Sequence, residues 1–134
     1  MTDSDCDAQI EVNLRGLIYC TRTVLRHMRG RGQGCIVNIA SRAAALPEPS
    51  MAVYSATKAA VLAFSKALAQ EVDGSGVRVV AICPGPVDTQ RLRRVAPDAD
   101  RSGWLRPEDV ARAVVFLSSP AAARLNGAVL DLYR

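Results

Sequence analysis

A chain of 134 residues holds one domain at most, or part of one. Its composition, 49% hydrophobic and 22% charged, suits a globular protein with a real core and excludes a disordered segment. The net charge of +4, with arginines clustered in RHMRGRGQG and TQRLRR, raises nucleic-acid binding, but no stacking aromatics interleave with those arginines and that reading is set aside.

The N-terminal MTDSDCDAQIEVNL is acidic where a secretory signal would be basic, and it has no apolar core segment. From about residue 8 to 29, Ile10, Leu14, Leu17, Ile18, Val24, Leu25 and Met28 recur at helical spacing and predict a long helix. Arg26 and Arg29 fall in its last turn, where cations complement the helix dipole, and Gly30, Gly32 and Gly34 end it. His27 sits in the same turn and is given no catalytic role. CIVNIA, residues 35–40, is a short, β-branched apolar run of the kind expected for a strand covered on both faces. A loop holding Pro47 and Pro49 leads into an alanine-rich helix at roughly 51–72. DGSG at 73–76 is a turn, and VRVVAIC at 77–83 is a second buried strand, broken at its carboxyl end by PGP.

An arginine-rich connection, 89–106, precedes a helix with Pro107 in its first turn and acids beside it. GAVLDLY is the last strand. Alternating helices and strands imply an α/β fold built on a parallel sheet with right-handed crossovers. Cys6, Cys20, Cys35 and Cys83 show neither CxxC nor CxxH spacing, which predicts free thiols in a reducing compartment and no metal site. No apolar run approaches membrane-spanning length, so a soluble cytoplasmic protein is expected.

Ligands of open parallel sheets collect beyond the carboxyl ends of the strands. Ser41 lies just after CIVNIA, and PGPVDT follows VRVVAIC. In YSATK, Tyr54 and Lys58 are four residues apart and share one helix face. A phenol of ordinary pKa is a poor acid–base group at neutral pH, and a nearby ammonium favours its phenolate. Lysine does this better than arginine because it is a compact point charge. Only Lys58 and Lys66 among the seventeen basic residues are lysine. Such a pair exchanges a proton with an alcohol or carbonyl, while Ser41 holds the same oxygen by hydrogen bond.

VN at 12–13, GCIVNIAS ending at Ser41, YSATK, VRVVAICPGPVDT and PEDVARAVVFL together resemble the short-chain dehydrogenase/reductase family. The resemblance runs from about residue 8 to 131, in the family's order and close to its spacings. It implies a partial Rossmann-like, doubly wound parallel sheet of about three strands, with NAD or NADP as cofactor. It implies Tyr54 as proton donor or acceptor, and Lys58 lowering the tyrosine's pKa and bonding the nicotinamide ribose. Ser41 would orient the substrate oxygen, and Asn13 would hold a water linking Lys58 to solvent. Pro84, Gly85, Val87 and Thr89 match the segment lining the nicotinamide side of the cofactor. A small-molecule alcohol or carbonyl substrate is implied, as is a homo-oligomer packed through the helices at 8–29 and 51–72.

The family begins with a strand and a TGxxxGxG loop that binds the pyrophosphate at a helix N-terminus, and continues with further strands. That loop is not in this sequence. Gly30, Gly32 and Gly34 do not replace it, because they follow a helix and precede a strand, the reverse of the required order. The chain thus resembles the C-terminal catalytic half of such an enzyme, as one partial domain. Two readings stay open: an NAD(P)-dependent alcohol or carbonyl oxidoreductase, or a non-catalytic remnant or interaction module built on the two long helices. Strand 35–40 is expected to leave one apolar edge unpaired and so to cause poor solubility or self-association through that edge. Arg91, Arg93 and Arg94 are expected to form a solvated face; the alternative is a seat for an anionic, carrier-linked or CoA-linked acyl substrate.

Overall fold

The structure, a computed structural model, describes residues 2–133. The first helix begins at Asp3 rather than near residue 8. Thr2 caps it by accepting from the Asp5 N–H, and the Asp5 carboxylate accepts from the Thr2 N–H in return. One continuous helical run then reaches Arg31 in three parts: α1 (Asp3–Ile10), a π-helical segment (Glu11–Gly16) and α2 (Leu17–Arg31). Gly32 ends it with φ of 63°. β1 (Gly34–Ile39), α3 (Ala52–Glu71), β2 (Val77–Pro84), α4 (Gln90–Val95), α5 (Pro107–Ser118) and β3 (Val129–Leu132) follow. The connection at 89–106 is therefore not bare: Thr89 caps α4 by accepting from the Leu92 N–H.

The strands form one parallel sheet in the order β1-β2-β3, with Ile36 opposite Val79 and Ile82 opposite Leu130. Val79, Val80, Ala81 and Ile82 of the central strand are fully buried. Alternate side chains of β2 serve opposite layers. Val77 and Val79 pack with Leu68, Ala69 and Val72 of the α3 region, joined by Leu25 and Met28 of α2. Val80 and Ile82 pack with Ala113 and Leu117 of α5 on the other face. Helices on both faces of a parallel sheet make this the expected partial Rossmann-like, doubly wound fold.

β1 is packed on both faces as expected, Ile36 against the α3 region and Cys35 and Val37 against α5, but the cover is partial and its outer edge is open. It pairs with β2 alone, only Ile36 and Asn38 of it are buried, and Ile39 is 39% exposed. Two partly buried polar ties are absent from the sequence reading. Arg78, pointing off β2, donates to the carbonyls of Leu117 and Ala122 at 3.0 and 2.9 Å and so caps the carboxyl end of α5. Asn126 accepts from the Val79 N–H and donates to the Ala69 carbonyl, stapling the loop before β3 to β2 and α3.

At Gly76, φ is +78° and an added Cβ would lie 1.9 Å from the Gly32 carbonyl oxygen, so only glycine fits that turn. Among the described residues no helix is long and apolar enough to cross a membrane.

Leu117 is 2% exposed and holds α5 on the sheet. Leu117→Ala is expected to cost about 2–5 kcal/mol in urea unfolding. A cost under about 1 kcal/mol would show that α5 is not part of the cooperative core.

Candidate active site

Parallel pairing carries the backbone past Ile39 to Ala40, whose N–H donates to the Ile82 carbonyl at 2.8 Å. Ser41 follows in extended conformation and caps a short turn, Arg42–Ala44, by accepting from the Ala43 N–H at 3.2 Å. With its oxygen so engaged, the hydroxyl proton of Ser41 is left to donate elsewhere. α3, the helix holding YSATK, packs against this turn, which directly follows Ser41.

Within α3 the Lys58 ammonium lies 5.8 Å from the centroid of the Tyr54 ring. It donates to the Ile39 carbonyl at 2.9 Å, tethering α3 to the carboxyl end of β1. Burial pushes the Lys58 pKa below its usual 10.5. The ammonium has two further protons, so the tether does not exhaust it.

Asn13 lies in the π segment, and its amide donates to the Thr57 hydroxyl at 3.2 Å. Thr57 in turn donates to the Tyr54 carbonyl at 2.8 Å. Asn13 thus reaches the Tyr54–Lys58 turn through Thr57, a buried residue that sequence reasoning missed. Its only signal was a hydroxyl one position before the lysine. Asn38 was missed as well: its amide donates to the Ser65 hydroxyl at 2.8 Å, and Ser65 donates to the Val61 carbonyl at 2.7 Å. A polar residue inside the apolar run CIVNIA was the available sign.

Pro84 ends β2, and the Gly85 N–H donates to the Leu132 carbonyl at 3.0 Å. A Cβ on Gly85 would stand 2.9 Å from that of Tyr133, which accounts for glycine there. Val87 forms a parallel bridge with Leu105, and the Asp88 N–H donates to the Leu105 carbonyl at 2.8 Å. The Thr89 hydroxyl oxygen accepts the Leu92 N–H in the α4 cap. Pro84, Gly85, Val87 and Thr89 therefore form one braced segment leaving the carboxyl end of β2.

The arginines of α4 are exposed, as expected, and Arg93 is further held by two 2.6 Å bonds to the Asp88 carboxylate. That guanidinium keeps the Asp88 carboxyl below the usual range. Cys83, at the end of β2, is buried, and burial pushes its thiol up, away from reactivity. Two open, shallow grooves lie elsewhere: one of about 560 Å³ along α5, lined by Val115 and Phe116 among others, and one of about 630 Å³ between α3 and the Arg124–Gly127 loop.

A doubly wound parallel sheet with a serine beyond one strand and a Tyr–Lys pair on the following helix places the chain among the Rossmann-like α/β proteins. The chain belongs to the short chain dehydrogenase family, which matches it over residues 1–100. It is 40% identical to an acetoacetyl-CoA reductase of Paracoccus denitrificans, over 95% of this chain and 56% of that protein. A crystal structure of a 3-ketoacyl-(acyl-carrier-protein) reductase from Brucella melitensis complexed with NADH is 33% identical, with a TM-score of 0.86 over 98% of this chain and 57% of that one. A gluconate 5-dehydrogenase from Burkholderia cenocepacia, in complex with NADP and tartrate, is 30% identical, with a TM-score of 0.92 over 99% of this chain and 56% of that one. The chain thus spans little more than half the length of these relatives.

Because burial lowers the Lys58 pKa, the folded state binds that proton less tightly than the unfolded state does. The cost is fully present below the folded pKa and disappears as the pH climbs through 10.5. Relative to Lys58→Met, wild-type stability in urea is therefore expected to rise with pH over the alkaline range up to 10.5. A difference that stays flat with pH would contradict the burial of the charge.

Proposed function

We propose that the chain is the catalytic portion of an NAD(P)-dependent oxidoreductase that interconverts an alcohol and a carbonyl compound. One observation carries this reading: Lys58 is held between the Tyr54 ring and the Ile39 carbonyl, beside the turn that bears Ser41. Tyr54 gives or takes the proton of the substrate oxygen, and Ser41 donates to that same oxygen to orient and polarise it. Lys58 turns its remaining protons towards the phenolic oxygen and the ribose hydroxyls of the cofactor, and Asn13 supports the proton path from Lys58 to solvent. The bound NAD or NADP supplies or accepts the hydride.

The donor set fits the nicotinamide–ribose half of such a cofactor, with Pro84, Gly85, Val87 and Thr89 along the nicotinamide side. It does not fit the pyrophosphate: Gly32 closes a helix, Gly34 lies against the Met28 side chain, and no TGxxxGxG loop occurs in the sequence. The relatives' names span a CoA thioester, a carrier-protein thioester and a sugar acid. The substrate is therefore kept at the level of an alcohol or ketone.

Titrating the chain with NADPH and following nicotinamide fluorescence is expected to give saturable binding. No saturation at millimolar cofactor would exclude catalysis by this chain and favour the interaction-module reading. Where turnover is measured, Tyr54→Phe is expected to lower it by roughly 10²–10⁴-fold while sparing cofactor affinity. Retained turnover would overturn the role of Tyr54.

We further propose that a second copy packs on the helices of α1–α2 and α3. Ile10, Val12 and Val24 are large apolar side chains exposed along the first helical run, Val12 by 74%. In sedimentation velocity the chain is expected to associate as its concentration rises, and Val12→Asp with Val24→Asp to weaken that association. Association unchanged by these substitutions would assign it to the open edge of β1 instead.

A further inference from the structure

We propose that Thr57 is a positioning residue for the Tyr54–Lys58 pair, linking it to the π-helical segment through Asn13. The inference deepens the oxidoreductase reading and rests on it only for the effect on turnover. Its effect on Lys58 stands independently of any activity.

The π segment, Glu11–Gly16, interrupts an otherwise regular helical run from Asp3 to Arg31. π-Helical segments give up regular backbone bonding and persist where another contact repays the loss. Here that contact is the Asn13 amide, which donates 3.2 Å to the Thr57 hydroxyl across 44 residues of sequence. The hydroxyl is used on both sides, since it also donates 2.8 Å to the Tyr54 carbonyl. Thr57 is 4% exposed, so water does not replace a lost partner at this site. The tie therefore fixes the helical turn that starts at Tyr54 and ends at Lys58.

The same turn is fixed from the opposite side by the bond from Lys58 to the Ile39 carbonyl. The Tyr54–Lys58 turn is thus clamped between the π segment and the end of β1, and Thr57 is the only one of its residues that reaches the π segment by a side-chain hydrogen bond among the described residues. Without the Thr57 hydroxyl, the first turns of α3 loosen, the lysine leaves its carbonyl and its ammonium is better solvated.

The test uses the full chain and lysine labelled with ¹³C at Cε. The chain has two lysines, so the Lys58 resonance is assigned from Lys58→Arg. In Thr57→Val the Lys58 titration is expected to move up towards the usual 10.5. Asn13→Ala is expected to move it in the same direction, the double variant to add nothing further, and Thr57→Ser to titrate as the wild type does. Turnover, where present, is expected to fall about tenfold in Thr57→Val and to return in Thr57→Ser, the size of one lost hydrogen bond.

If folded Thr57→Val and Asn13→Ala both titrate like the wild type, the proposal is overturned. If Thr57→Val does not fold, Asn13→Ala decides in the same way. A chain with no turnover in any form, but with Lys58 shifted as described, would sink the oxidoreductase reading and leave the positioning role standing.

Discussion

Two-sided parallel pairing of β2 is the constraint on which the rest depends. β2 is the only strand of this sheet with a neighbour on each edge and a helix layer on each face, and Val79 to Ile82 are fully buried as a result. Its register aligns the carboxyl ends: Ile39 opposite Ile82, and Pro84 opposite Leu132. Because side chains alternate, a one-residue slip would exchange Val79 and Val80 between the α3 and α5 layers. The same slip would move Ser41 relative to the Pro84–Gly85 turn. One ladder thus sets both the core and the rim where the candidate residues gather.

Much of this was legible because it depends on periodicity and on local chemistry. Apolar runs bounded by turns mark β1 and β2, and Pro107 with its flanking acids marks the start of α5. YSATK was legible because a one-turn spacing needs no tertiary knowledge. Features made by contacts distant in sequence were not legible. The Asn13–Thr57 tie and the Arg78 cap on α5 each join residues about forty apart, and nothing in local composition announces them. The true start at Asp3 was missed for another reason. Apolar spacing locates the buried stripe of a helix, whereas a capped polar first turn lies outside that stripe.

α3 carries two versions of one device. Asn13 donates to Thr57 and Asn38 donates to Ser65, and each hydroxyl donates back to a carbonyl of its own helix. A helical Ser or Thr bonded in this way satisfies its proton locally and keeps its lone pairs for a neighbour. The Asn38–Ser65 pair sits in the core, 5% and 2% exposed, and fastens α3 to β1. The Asn13–Thr57 pair lies nearer the rim and fastens α3 to the first helical run. With Lys58 on Ile39, α3 is pinned at three heights, two of them within the turn that begins at Tyr54.

That pinning explains why residue 58 is a lysine in a chain whose other cations, Lys66 excepted, are arginines. The position is half-buried and offers one protein acceptor, the Ile39 carbonyl. A guanidinium placed there would bring five donors in a rigid plane against that single acceptor, at a further desolvation cost. An ammonium needs fewer partners, and after serving Ile39 it retains a point charge that can face the phenol on one side and solvent or ligand on the other. Two of the arginines work differently. Arg93 spreads two bonds over Asp88, and Arg78 gathers several carbonyls at the end of α5. Several carbonyls converge on the guanidinium at Arg78, whereas at Lys58 one acceptor and a compact charge suffice.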